Sequence, residues 1–253
     1  MKVIIFSFLF FCFGLLLLQF SSKEHVSSKE VDITTNQWIL IDERDDVKTY
    51  EKKIPDSGLV AFRGEATIDA SVGRIYSVMK DFRYRPDWVY LLKEVKLLST
   101  QTKFDTIERY HITIFWPIAD RDFINRMLQI YNPSDGSLLI KMQYASDELY
   151  PIEANIIRGY IHHSIINLKP VSESKTYIEV EIFADPKGSV PAWAANLVQK
   201  EWPHYTLTGL KKLTSSTTLE IADPNIFEEL KSATKNEIKN EIKKEVSENS
   251  INK

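Results

Sequence analysis

The sequence predicts an α+β domain, a long antiparallel sheet that curls, with a terminal helix laid across its concave face. Three observations carry this reading. From Lys93 to Phe183, segments rich in β-branched and aromatic residues follow one another with turn signals and no helix between them, which requires antiparallel pairing. Before that run, Asp69–Phe82 switches to helical spacing. After it, a second helical pattern runs from Pro191 to Leu213, and its broad apolar surface needs a sheet to cover.

Taken in order, Val47–Ile54 is a polar strand, Pro55–Gly58 a turn, and Gly58–Ile68 an alternating strand. Val60, Phe62, Ala66 and Ile68 face one way there, Arg63, Glu65 and Thr67 the other. Val72, Ile75, Tyr76 and Met79 form the first helical stripe, with Asp69 or Ser71 as its cap. That helix stops before Arg85-Pro86-Asp87-Trp88. Strands return at Lys93–Leu98, Thr106–Phe115, Phe123–Tyr131, Leu138–Tyr144, Ile156–Leu168 and Thr176–Phe183. Turn signals at Asn132–Gly136, Lys169-Pro170 and Asp185–Gly188 separate them. In the terminal helical pattern Pro191 fits the first turn, and Pro203 should kink or break the helix.

Both ends differ from this middle. Met1-Lys2 and the apolar run Val3–Leu18 read as a signal peptide or N-terminal membrane anchor over residues 1–22. A polar linker is expected over 23–36, a domain over 37–215, and a charged tail, partly helical or disordered, over 216–253. In that tail Leu230, Ile238, Ile242 and Val246 make a narrow stripe at helical spacing. The formal net charge of −3 and the lack of basic runs argue against nucleic acid as a partner. The single cysteine, Cys12, lies in the apolar N-terminal run. This excludes disulfides, thiolate-held metals and a cysteine nucleophile from the domain. His162 and His163 point to opposite faces of one strand, and no Gly-rich phosphate loop or G-x-S-x-G elbow occurs, so no metal or cofactor is expected.

In this setting Val60–Thr67, Arg85-Pro86-Asp87-Trp88, Arg121-Asp122-Phe123 and Asp185–Gly188 running into Pro191-Ala192-Trp193 with Asn196 resemble, in order and spacing, a START domain. This is the steroidogenic-acute-regulatory-related lipid-transfer family, in its secreted bacterial form. The resemblance covers roughly Trp38–Leu213. It implies a helix-grip fold, a curved antiparallel sheet wrapped around a long C-terminal helix enclosing a hydrophobic cavity. It implies a lipid ligand, no cofactor and usually no catalysis.

The candidate ligand-binding residues follow from the residues and the resemblance together. Thr106, Glu108, Tyr110, Ile112 and Ile114 share a strand face, where a carboxylate among apolar neighbours needs a partner. By resemblance an acidic residue here faces the cavity and holds a polar head or hydroxyl; the other reading is that Glu108 lies near the strand end and reaches solvent. The matching arginine position, six residues after Arg121, is Met127, with Arg126 adjacent. Periodicity makes Ile124, Arg126, Leu128 and Ile130 the more apolar face. Either Arg126 turns inward through a bulge, or the charged pair is missing and the ligand is less polar. Phe115-Trp116-Pro117-Ile118 is an apolar tip, a lid at a bilayer or a tip packed on the terminal helix, with Trp116 suited to an interface. Trp193, Asn196, Leu197 and Lys200 lie on one side of the terminal helix, which by resemblance roofs the cavity. Arg121 and Asp122 read as a structural ion pair or turn bond.

The function expected is binding of a lipid or other hydrophobic small molecule for carriage, transfer or sensing in the cell envelope. The protein would be exported, either periplasmic or anchored to the bacterial inner membrane facing the periplasm. It would act as a monomer and meet the membrane surface transiently or through its N-terminal segment. The alternative is a cyclase- or hydrolase-like enzyme of the helix-grip superfamily, with Glu108, Tyr110 or His163 as acid or base. A structural envelope protein with a closed core is a third reading.

Overall fold

The structure, a computed structural model, describes residues 37–115 and 117–251, with side chains through residue 240. The expected leader, the linker and Trp116 lie outside the described residues. Ten strands form one sheet: β1 (Ile39–Arg44), β2 (Val47–Lys53), β3 (Val60–Ile68), β4 (Leu92–Thr102), β5 (Asp105–Ile112), β6 (Asp120–Tyr131), β7 (Leu138–Tyr144), β8 (Ile156–Arg158), β9 (Tyr160–Ser172) and β10 (Lys175–Asp185). Their order is β1-β2-β3-β10-β9-β7-β6-β5-β4, antiparallel throughout, while β8 pairs in parallel with β6 off this path.

Two departures from the sequence pattern have local causes. β1 has no alternation to announce it, since Ile39, Leu40 and Ile41 are all exposed; pairing with β2 defines it. The stretch Ile156–Leu168 is two strands, broken at Gly159. The Gly159 N–H donates to the Asp122 carbonyl at 2.8 Å, and a Cβ at this position would lie 2.3 Å from the Phe123 ring. Only glycine fits so close a crossing.

The first helical pattern forms α1 (Val72–Lys80), with Ser71 rather than Asp69 as the cap; its Oγ accepts the Arg74 N–H at 3.2 Å. Val72, Ile75, Tyr76 and Met79 are buried as the spacing requires. A single turn, α2 (Arg85–Trp88), follows. The terminal pattern is two helices, α3 (Ala192–Gln199) and α4 (Trp202–Thr214), separated at Lys200-Glu201. Pro203 sits in the first turn of α4, where its missing N–H costs nothing. Helix α4 presses on β3 at Gly64, where a Cβ would lie 2.6 Å from Pro203 Cβ and 2.9 Å from Leu207 Cδ1.

The packed body extends beyond residue 215, which corrects the expected start of a charged tail. Helix α5 (Ile226–Ile251) begins with Ile226, Phe227 and Leu230 buried against α1. The Phe227 ring meets Tyr76 edge-on at 5.8 Å and Tyr131 at 5.6 Å. The connecting segment is tied down where the Asp81 carboxylate accepts the Ala222 N–H at 2.9 Å. Ile226 and Phe227 come before the spaced stripe read in the sequence and Leu230 is its first member, so composition placed the boundary too early. From Lys235 to Asn240 the helix is exposed.

Phe227→Ala should therefore lower stability by ~3–5 kcal/mol, as aromatic truncations in a core do. Ile238→Ala, on the exposed part of the same helix, should change it by less than about 0.5 kcal/mol. Urea unfolding of both variants measures the contrast.

Candidate functional site

A cavity lies between the concave face of the sheet and α1, α2, α3 and the first residue of α4. It offers about 140 Å³ of room to the centres of water-sized molecules, and Val89, Phe123, Ile140, Met142, Ile166 and Trp202 are among its walls. An apolar chamber with a few polar groups converging in it is the ordinary form of a small-molecule site.

The polar groups inside are organised around Glu108, which is fully buried. Arg85 Nη1 donates to Glu108 Oε2 at 2.9 Å, the Tyr110 hydroxyl donates to the same oxygen at 2.7 Å, and the Thr106 hydroxyl donates to Oε1 at 2.8 Å. Arg85 also donates to the Tyr110 hydroxyl and, through Nε, to the Met79 carbonyl. Burial alone would push the Glu108 carboxyl up, but the Arg85 guanidinium and the hydroxyl donors outweigh it and hold it below the usual carboxylate range. Burial pushes Tyr110 well above its ordinary value. Nearby, the Tyr76 hydroxyl donates to Gln129 Oε1 at 2.7 Å. Lys80 lines the same end, and burial pushes it down to about 8 against the opposing pull of Glu108.

The structure brings only some of the sequence candidates together. Glu108 is part of the network; Tyr110 and Met127 line the cavity, with Met127 Sδ 3.7 Å from the Tyr110 hydroxyl. Arg126 does not join them. It is exposed on the opposite face of β6, where its Nε donates to Asp105 Oδ1 at 2.7 Å. No bulge turns it inward, because the β5–β6 register is continuous. The face of β6 that meets the cavity carries Arg121, Phe123, Met127 and Gln129.

The periodicity misled because the outer face of β6 is covered at Asp122 and Ile124 as well. There Asp122 accepts from Arg158 Nε at 2.7 Å and Arg109 Nε at 2.9 Å. Arg158 reaches Asp147 at 3.0 Å and Arg109 reaches Glu153 at 3.2 Å, which fastens the 145–158 segment over Ile124. Asp122 is thus an ion-pair residue as expected, but its partner is not Arg121, which points into the cavity.

The terminal helix was read in the wrong phase. Trp193 is 72% exposed and Leu197 57% exposed, and Lys200 is exposed at the end of α3. Asn196 is a clamp, accepting the Val60 N–H at 3.1 Å and donating to the Gly58 carbonyl at 2.9 Å. The cavity is met instead by Val198, Gln199 and Trp202, two residues further along the same spacing. Trp193 and Leu197 lie on the most apolar stripe, but that stripe faces outward, so periodicity alone selected it. Sequence reasoning also missed Arg85. It lies on the turn after α1, remote from the β6 position that the resemblance pointed to. Its signal was an arginine directly after an apolar helix with an unpartnered buried carboxylate elsewhere. His111 and His163 are paired with Asp120 and Glu181 at 2.8 and 3.0 Å, away from the cavity walls. Among the described residues no cluster of three or more His, Cys, Asp or Glu side chains is placed to hold a metal.

This arrangement, a curved sheet gripping its terminal helices over an apolar chamber with one internal charge pair, is a helix-grip architecture. The chain belongs to the START domain family, whose model matches residues 19–213. It is 28% identical over 174 residues to an uncharacterized protein of Pseudomonas aeruginosa, covering 69% of this chain and 85% of that one. Its fold is similar to that of a STAR-related lipid transfer protein from Xanthomonas axonopodis, with a TM-score of 0.63 and 22% identity over 71% of this chain and 99% of the other. Human StAR-related lipid transfer protein 5 is similar too, with a TM-score of 0.61 and 17% identity over 69% of this chain and 85% of that chain.

Removing one member of the buried pair tests its energetics. Arg85→Met should cost ~3–5 kcal/mol at neutral pH, because Glu108 is left charged and unpaired, whereas Arg85→Met with Glu108→Leu should recover most of it. The pH dependence has a definite sign. In the wild type Glu108 is held low, so its contribution is present above the ordinary carboxylate pKa and lost as pH falls through the folded value. In Arg85→Met, burial raises Glu108, so that variant should gain relative stability as pH falls. Denaturant midpoints measured from about pH 2 to 8 read both effects.

Proposed function

We propose that this protein binds a hydrophobic small molecule, a lipid, inside the cavity, for carriage, transfer or sensing. The observation that carries this is the pairing of apolar walls with an internal polar network that is already charge-neutral and hydrogen-bonded. Each methylene taken from water into such a chamber contributes ~0.8 kcal/mol. The Arg85–Glu108–Tyr110 network supplies donors and acceptors for a hydroxyl or carbonyl and so fixes the orientation of the ligand.

The same geometry favours binding over the cyclase- or hydrolase-like alternative. An acid–base catalyst needs a titratable group free to exchange a proton with substrate. Glu108 is instead committed to three donors, and His163 pairs with Glu181 away from the cavity walls. Lipid exchange with a bilayer is supported by apolar side chains on the surface: Trp193 and Leu197 on α3, and Phe115, which is 64% exposed at the loop after β5. We place the protein outside the cytoplasm, periplasmic or held at the inner membrane, on the strength of its apolar N-terminal run. No helix among the described residues is long and apolar enough to cross a membrane.

Filling the chamber tests binding directly. Ser164 lines it from β9, so Ser164→Phe should weaken binding of fluorescent fatty acids, phospholipids or sterols at least tenfold while the fold persists. A wild-type protein that takes up none of these probes would overturn the reading. Trp193→Ala with Leu197→Ala should leave affinity for soluble probe unchanged and slow probe transfer from vesicles severalfold in stopped-flow fluorescence.

A further inference from the structure

Three cationic side chains line the cavity, Lys80, Arg85 and Arg121, and they are not equivalent. Arg85 is neutralised by Glu108 at 2.9 Å. Lys80 ends on the Lys103 carbonyl at 3.4 Å, at the same end as Glu108, and burial holds it at about 8. Arg121 is 1% exposed, and its guanidinium donates only to backbone carbonyls, those of Ala119, Pro186 at 3.2 Å and Lys187 at 3.4 Å. Among the described residues no carboxylate lies within 4.0 Å of it. Asp122 points to the other face, and Asp120 is engaged with His111 at 2.8 Å and the Ile114 N–H at 3.1 Å.

A guanidinium has five N–H donors, and these carbonyls use one on Nε and one on each terminal nitrogen. One N–H on each terminal nitrogen is left. Burial disfavours the Arg121 charge and Asp120 supports it only through space, without a hydrogen bond, so the two remaining N–H groups are open to an anionic acceptor. Gln199 adds a second unfilled group at this end. Its Nε2 donates to the Ala184 carbonyl at 3.2 Å, while its Oε1 is shut from solvent with no donor. Arg121 and Gln199 are therefore held by the same Ala184–Lys187 segment, and both line the cavity.

We infer that this end of the cavity receives the carboxylate of an acidic amphiphile, with Arg121 holding the two oxygens and Gln199 Oε1 accepting from a donor beside them. The inference rests on the lipid-cavity reading and names its ligand class. A carboxylate fits better than a phosphate monoester, because one planar fork matches one planar anion of single charge, whereas a phosphate carries about −1.5 to −2 near neutrality. The aliphatic body then runs along the sheet towards Arg85, Glu108 and Tyr110. Glu108 pairs with Asn125 and Ile112 with Arg121, so the two polar stations are separated by four residues of β6. At ~3.3 Å per residue that is about 13 Å.

The test is calorimetric titration of the full chain at pH 8 with dodecanoate, dodecanol and dodecyl phosphate. Dodecanoate should bind at least tenfold tighter than dodecanol, and dodecyl phosphate no tighter than dodecanoate. Arg121→Gln should abolish the advantage of the acid and leave dodecanol unchanged, Arg121→Lys should restore part of it, and Lys80→Gln should retain it. Equal affinity for acid and alcohol in the wild type would overturn the proposal. So would loss of the advantage in Lys80→Gln with none in Arg121→Gln, or a tenfold preference for the phosphate. Binding of neither acid nor alcohol would instead remove the lipid-cavity reading, which separates the two failures. Should Arg121→Gln not fold, the wild-type ratio of acid to alcohol decides.

Discussion

The structure is built around a charge pair that is buried away from the surface. Arg85 lines an apolar chamber and Glu108 is buried behind it, and neither charge would be tolerated there alone. The pair is held by two hydroxyls and a backbone carbonyl, so almost every polar atom in it has a partner inside the protein. It also joins parts of the chain that packing alone would leave free to slide. Arg85 belongs to the turn after α1, and Glu108 to β5, so their contact sets the distance between helix and sheet on which the cavity depends.

Two further constraints keep the chamber open. On the outer face of β6, Asp122 binds Arg109 and Arg158, which straps the 145–158 segment over the sheet. At the other side, Asn196 clamps α3 to the start of β3, and Gly64 admits α4 close to the sheet. The helices are thereby fixed at their ends, while Val198, Gln199 and Trp202 span the cavity between them. The long helix of the expected architecture is broken at this point, which leaves α3 a short element carrying exposed Trp193 and Leu197 on its outer side.

How much of this the sequence disclosed depends on which period each residue obeys. The strands from Val47 onward, apart from the break at Gly159, together with α1 and the break near Pro203, were legible, because alternation, helical spacing and proline chemistry are local signals. Glu108 and Tyr110 were legible too, as a carboxylate and a phenol on an otherwise apolar face. Arg126 was misread because the first half of β6 is buried on both faces, so Ile124 under its strap looked like the cavity side. Trp193, Leu197 and Lys200 were misread because the apolar stripe of α3 points outward, and apolarity cannot tell a cavity from a surface patch. Arg85 and Arg121 stayed hidden for another reason. Their roles follow from which carboxylate lies within reach, and that distance exists only in the folded chain.

The most direct test of the account is the cargo itself. Native mass spectrometry of the protein purified from a bacterial host, followed by solvent extraction, would weigh the complex and identify what leaves it. The account predicts a single hydrophobic molecule per chain, released on denaturation and absent from a Ser164→Phe variant. A protein that is reproducibly empty, and stays empty after incubation with fatty acids, phospholipids and sterols, would contradict it.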